Sequence, residues 1–352
     1  LLADTLEEHG FSMERGVAGM PTAFIATYGS GKPVVAVLGE YDALPGLSQK
    51  ALPYEEPLKD GAPGHGCGHN IKGASAMGGV IAAKAAIDKG RIQGTVKYFG
   101  TPDEEGLTGK VFLVRDGCFE GVDAAVDHHS GSVNSSHLWS TAAVSIVKFL
   151  FHGSSASAST NPWQARSGLD AVELMNIGMN FMRERIAPEA KVNYVIEHGG
   201  NHTGFVPAKA SSLYSIRAPD RELVESVHDQ ILKIAQGAAM MTQTRLDVKF
   251  KTGVHSRLPN RTLAELEVRN MRDIRAPNFT REELEFARKI GEQIPREVTR
   301  RLSDHYPGTR MTNQHAETTT KTYLDTGIYD PVGEGKPWGG ANDAAEISRN
   351  LP

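Results

Sequence analysis

Cysteine is nearly missing from this chain: its 352 residues contain only two, Cys67 and Cys118. Two thiols in unrelated contexts cannot form a disulfide framework, so the fold must rest on buried cores. Cys118, in Asp116-Gly117-Cys118-Phe119, reads as a small buried filler. Long apolar runs are missing as well, and no charged, apolar, small-residue leader opens the chain. A cytoplasmic setting without a membrane partner is expected. Charge of one sign is also lacking, since 38 basic and 42 acidic residues leave a formal net charge of -4. That balance gives no polyanion-binding signature, so nucleic acid is not an expected partner.

What is present is an ordinary globular composition, with 39% hydrophobic and 23% charged residues. The length suits two domains, each able to bury a core. The chain opens at Leu1-Leu2, inside a helical pattern, and stops at Asn350-Leu351-Pro352. It reads as a piece of a longer protein.

Val34 to Leu38 is a continuous apolar run of strand length, the pattern of a strand covered on both faces, and it leads into Gly39-Glu40-Tyr41-Asp42. Ile71 to Lys89 predicts a helix rich in Ala and Gly, whose amino end directs free N–H groups at whatever lies before it. Thr95 to Phe99 predicts a strand ending in Thr101-Pro102-Asp103-Glu104-Glu105-Gly106, Lys110 to Asp116 a short helix, and Ala124 to Val126 a strand ending at Asp127-His128-His129. Three predicted strands thus finish in polar residues of metal-binding type, at the edge where open α/β sheets bind ligands. From Ala142 the pattern changes to β-α-β-β-α-β, the ferredoxin-like order, with helices capped at Ser167 and Asp220 and a last strand carrying Leu246, Val248 and Phe250. Helices return from Thr262 and, behind a Thr280/Glu283 capping box, from Arg281. Tyr306 to Thr320 reads as strand and loop, and the tail around the turn Trp338 to Asp343 is expected to rejoin the first domain.

The run Gly64-His65-Gly66-Cys67-Gly68-His69-Asn70 carries a thiol and two imidazoles. Cys67 and His69 are too close to share a helix face, but a loop can aim both at one ion; a plain glycine-rich turn is the alternative. Glu104-Glu105 is either a solvated turn or a division of labour, one acid binding metal and its neighbour serving as general base. Of His128 and His129, only one can point inward if strand alternation continues. Jointly, these groups supply ligands for two borderline-soft divalent ions, which polarise a carbonyl and generate hydroxide near neutral pH. Amide hydrolysis is the natural reaction.

Asp42-Ala43-Leu44-Pro45, His65-Gly66-Cys67-Gly68-His69-Asn70 and Glu104-Glu105-Gly106 resemble the motifs of the aminoacylase-like, dinuclear-metal amidohydrolase and peptidase family. The branch with p-aminobenzoyl-glutamate, hippurate and auxin-conjugate hydrolases is the one resembled, over nearly the whole chain. The resemblance implies an α/β metallopeptidase-type catalytic domain with a mixed central sheet, split into 1–140 and a truncated second part, 255–352. Between them it implies an inserted ferredoxin-like dimerisation domain, 141–254. It implies metal ligands Cys67, bridging, with His69, Glu105 and His129, a general base in Glu104, and Asp42 orienting the site. It also implies two divalent ions, Zn or Mn, a small-molecule amide substrate and a homodimer.

Three departures from the family pattern stand out. No histidine follows His315, where the family ends with a metal-binding one; Ser157 replaces a histidine that reaches the reacting carbonyl; and Gly199 to Gly204 lacks an asparagine thought to hold the substrate's carboxylate, for which Asn201 or His202 could compensate. A weakly active or non-catalytic metal-binding subunit is therefore the second reading. A cysteine hydrolase using Cys67 as nucleophile is the third.

Overall fold

A computed structural model describes residues 1–131, 133–294, 323–337 and 339–351. They divide into two compact units, one formed by Leu1–Ser140, Leu258–Pro337 and Glu346–Pro352, the other by Thr141–Arg257 and Trp338–Ala345. The predicted strand and loop at Tyr306 to Thr320 lie outside the described residues.

The first unit opens with α1 (Leu2–Glu8), β1 (Ser12–Arg15), β2 (Phe24–Ser30) and β3 (Val34–Glu40). Next come α2 (His69–Asp88), β4 (Gly94–Thr101), α3 (Gly109–Arg115) and β5 (Ala124–Val126). Its sheet has the order β1-β2-β4-β3-β5 and is mixed. β2 runs antiparallel to β1 and β4, whereas β3 lies parallel to both β4 and β5. The parallel trio is the functional half, because its strands all finish at the same edge. β4 at the centre is apolar where it must be covered, with Tyr98 and Phe99 fully buried. α2 presses its small residues on this sheet: Ala76 and Val80 join Leu6, Phe11, Phe24 and Tyr98 in one core. Tyr98 also donates its hydroxyl to the Gly73 carbonyl at 3.1 Å, satisfying a buried polar group and tying helix to sheet. Two further helices, α6 (Arg261–Ile274) and α7 (Arg281–Gln293), belong to this unit. The Thr280/Glu283 capping box opens α7, with Thr280 Oγ1 accepting from the Glu283 N–H at 3.2 Å.

The second unit follows the order β6 (Ala143–His152), α4 (Gly168–Met182), β7 (Lys191–His198), β8 (Lys209–Ala218), α5 (Arg221–Thr242) and β9 (Arg245–Val254). Its four strands pair antiparallel as β7-β8-β6-β9. One face is dry: Val147, Phe149 and Phe151 of β6 meet Met175 and Met179 of α4 and Val227 and Ile231 of α5. The sequence pattern carries the first helix of this unit to about Ile186, but α4 ends at Met182 and tightens into a 3-10 turn, Arg183–Arg185. The helical stretch as a whole thus ends at Arg185, with Ile186 already extended. Cys118 is half-buried rather than fully enclosed.

Candidate metal centre

The parallel register decides which residues meet. β3 and β4 stay paired to Glu40 and Thr101, and β5 pairs with β3 from Val35 to Val37. The stretches just beyond them, at Asp42, Glu104 and His129, are therefore neighbours across one sheet edge.

Contacts shape the glycine-spaced run. Gly64 exchanges two backbone hydrogen bonds with Leu44, each 3.0 Å. Gly68 takes a left-handed φ of +82° as the residue capping α2, and a Cβ there would lie 2.2 Å from Ser130 Oγ. The left-handed backbone favours glycine at that position, and a Cβ would also displace the Ser130 hydroxyl. The helix begins at His69, two residues before the sequence pattern indicates, so His69 sits in its first turn.

Cys67, His69 and His129 are brought together: one ligand atom from each lies within 4.8 Å of the others. Cys67 Sγ is 3.4 Å from His129 Nε2. The buried His69 ring is held through Nδ1, 2.8 Å from Asp42 Oδ1, while its Nε2 is buried and lacks a hydrogen-bond partner. Asp42 also accepts the Glu105 N–H on its other oxygen, at 3.0 Å. Glu104 is buried, with Oε2 3.7 Å from His69 Nε2. Glu105 lies outside the three-residue cluster, but its carboxylate contributes to raising the Cys67 thiol pKa. His128 turns aside: its Nε2 lies 2.6 Å from Ser75 Oγ, and burial pushes its pKa below the ordinary histidine range.

Burial, and then the carboxylates of Glu105, Glu104 and Glu40, push the Cys67 thiol up to about 12. A negative field of that kind opposes a bare thiolate and favours a cation beside it. One sulfur and two imidazole nitrogens form a donor set for a borderline-soft divalent ion. An imidazole with one nitrogen fixed by a carboxylate and the other unpaired is oriented as a metal ligand is. These residues fit a metal ion.

Three site residues escaped sequence reasoning. Glu40, fully buried, places Oε2 3.2 Å from His69 Nε2 and forms a second possible ligand group with His69 and Glu104. Lys72 and Lys110, 1% and 0% exposed, both bring Nζ within 2.6 Å of its Oε1. In the sequence Glu40 precedes the Asp42 motif by two positions, which was its only signal; the lysines look like solvated helix residues. Asn201 and His202 belong to the second unit and are exposed. His202 accepts the Gly204 N–H on Nδ1 at 2.9 Å.

Residues 36–336 match Peptidase family M20/M25/M40. The chain belongs to this family. Over 291 residues it is 43% identical to a p-aminobenzoyl-glutamate hydrolase subunit of Escherichia coli (strain K12), a match covering 82% of this chain and 60% of that protein. The chain thus spans less than two thirds of that relative's length. An aminobenzoyl-glutamate utilization protein from Klebsiella pneumoniae shares the fold at a TM-score of 0.59 and 16% identity, over 99% of this chain and 81% of the other. A Bacillus subtilis protein described as a dinuclear metal binding peptidase from the M20 family does so at 0.54 and 17%, over 100% of this chain and 79% of the other. The mixed α/β architecture is accordingly that of the M20 metallopeptidases. Among the described residues, no helix is long and apolar enough to cross a membrane.

Proposed function

We propose that this chain carries the metal-binding half-site of an amidohydrolase that cleaves the amide bond of N-acyl or N-aroyl amino acids. The observation that carries the reading is the convergence of Cys67, His69 and His129, with Glu104 beside them, at the common edge of three parallel strands. Cys67, His69, His129 and Glu105 are assigned to two divalent ions, Zn or Mn, and Asp42 holds the His69 ring in register. When bound, such ions polarise an amide carbonyl and acidify water. Glu104, buried beside His69, takes and returns the proton. The name of the 43% identical relative supports an aroyl-glutamate as the substrate type.

The β-α-β-β-α-β unit is assigned as an inserted ferredoxin-like domain that dimerises. Support comes from its edge strand β7, which exposes Val195 and Ile196, and from α4, where Leu174, Ile177 and Phe181 form an exposed apolar stripe. Asn201 and His202 remain the candidates for holding a substrate carboxylate.

Reconstituted with Zn or Mn, the full-length protein is expected to hydrolyse p-aminobenzoyl-glutamate or hippurate. Glu104→Gln should lower kcat by about 10²–10⁴-fold with the metal still bound. A Glu104→Gln protein as active as the wild type sinks the assignment. Chelation should abolish turnover, whereas activity that survives chelation and dies on thiol alkylation points to Cys67 as a nucleophile.

One observation favours a second reading, a weakly active or non-catalytic subunit. Ser157 and Gly204, both departures from the family pattern, are neighbours: the Ala158 N–H donates to the Gly204 carbonyl at 3.0 Å, and Ser157 bridges to Phe205. The Ser157 hydroxyl is engaged locally with Ser159 and Thr160. Wild-type protein inactive on every amide, with turnover gained in Ser157→His, is the outcome this reading predicts.

A further inference from the structure

Behind His69 two lysines are buried on a single carboxylate oxygen. Lys72 lies one turn after His69 on α2, and its Nζ stands 2.6 Å from Glu40 Oε1 and 2.7 Å from Asp127 Oδ1. Lys110, from α3, reaches the same Glu40 oxygen at 2.6 Å. Fully buried lysines are rare because an ammonium group gives up strong hydration, and apolar side chains would fill such positions at less cost. Their charges sum to zero with those of Glu40 and Asp127, so the group is a closed electrostatic unit. Towards the metal-ligand cluster it presents Glu40 Oε2, 3.2 Å from His69 Nε2. That nitrogen carries the lone pair a metal ion needs, since Nδ1 is taken by Asp42.

A carboxylate this close to a ligand nitrogen would ordinarily join the coordination of any divalent ion held there. It would add a hard oxygen to a sulfur and nitrogen set and fill a position that substrate needs. We propose that Lys72 and Lys110 clamp Glu40 so that it stays out of the coordination sphere of the ion on Cys67, His69 and His129. Glu40 then lies beside His69, whose ring Asp42 holds, without being a ligand. One arm of the clamp, Lys72, shares α2 with His69, so that ring and that counter-charge are carried by one element. The inference rests on the metal-binding reading above.

Cobalt(II) tests it, because its visible absorption is strong in four-coordinate sites and weakens as oxygen ligands are added. Equilibrium dialysis and absorption spectra are taken on the full protein with cobalt alone, for the wild type, Glu40→Gln, Lys110→Met and the double variant Lys110→Met/Glu40→Gln. Glu40→Gln, which keeps both lysines, should leave the wild-type spectrum unchanged. Lys110→Met should lose visible absorption as Glu40 enters the site, and the double variant should recover it. A merely structural lysine would change thermal stability but not the cobalt bands. An altered Glu40→Gln spectrum makes Glu40 a ligand and overturns the proposal, even if Lys110→Met fails to fold. A Lys110→Met protein that binds cobalt with the wild-type spectrum overturns it as well, as does a double variant that does not recover. Wild-type protein that binds no cobalt defeats the metal reading itself, and this inference falls with it.

Discussion

Asp42 divides its carboxylate between two parts of the centre, one oxygen on His69 Nδ1 at 2.8 Å and the other on the Glu105 N–H at 3.0 Å. It therefore fixes the imidazole tautomer and the start of the Glu105 turn with the same side chain. Replacing a group that orients a metal-bound histidine usually weakens metal affinity by about 10–100-fold. Asp42→Asn should lose that much, measured by competition for zinc against a chromophoric chelator, with the fold intact by circular dichroism. Unchanged affinity would remove Asp42 from the site. Residues with donor chemistry were legible here because thiol, imidazole and paired acids are conspicuous at strand ends. Glu40, Lys72 and Lys110 were not, because nothing local separates a buried lysine from a solvated one; only their meeting in the folded chain does.

Elements are set by how closely α2 approaches the sheet. A Cβ on Gly39 would lie 1.9 Å from Tyr98 Oη, and one on Gly73 would lie 2.8 Å from the Glu40 carbonyl oxygen. By contrast, Gly79 on the same helix has nothing within 4 Å of that position. Gly39→Ala should therefore destabilise by about 1–3 kcal/mol through overpacking. Gly79→Ala should stabilise by up to about 1 kcal/mol through helix propensity alone. Denaturant midpoints of the two variants check this contrast, and shifts of the same sign would contradict it. The helix and its small-residue composition were readable from sequence; its first turn was not, since Gly68 caps it through a left-handed conformation.

At the scale of the whole molecule, the sequence pattern carried the strand-and-helix order of both units, whereas sheet order needs long-range pairing that no local pattern encodes. The tail shows the limit well: Trp338–Ala345 groups with the second unit and Glu346–Pro352 with the first. If the edge strand β7 and the stripe on α4 form a homodimer, Phe181→Asp with Val195→Asp should yield monomers in sedimentation experiments. Both residues are more than half exposed in the single chain, at 77% and 59%. A wild-type monomer, or a double variant that stays dimeric, rejects that surface. The compactness of the centre in sequence has one more consequence. Every assigned donor, together with the Glu40 clamp, lies between Glu40 and His129, ahead of the first residue of the second unit at Thr141. During synthesis, which proceeds from the amino end, the nascent chain thus possesses all of these ion-binding groups before any of Thr141–Arg257 has left the ribosome.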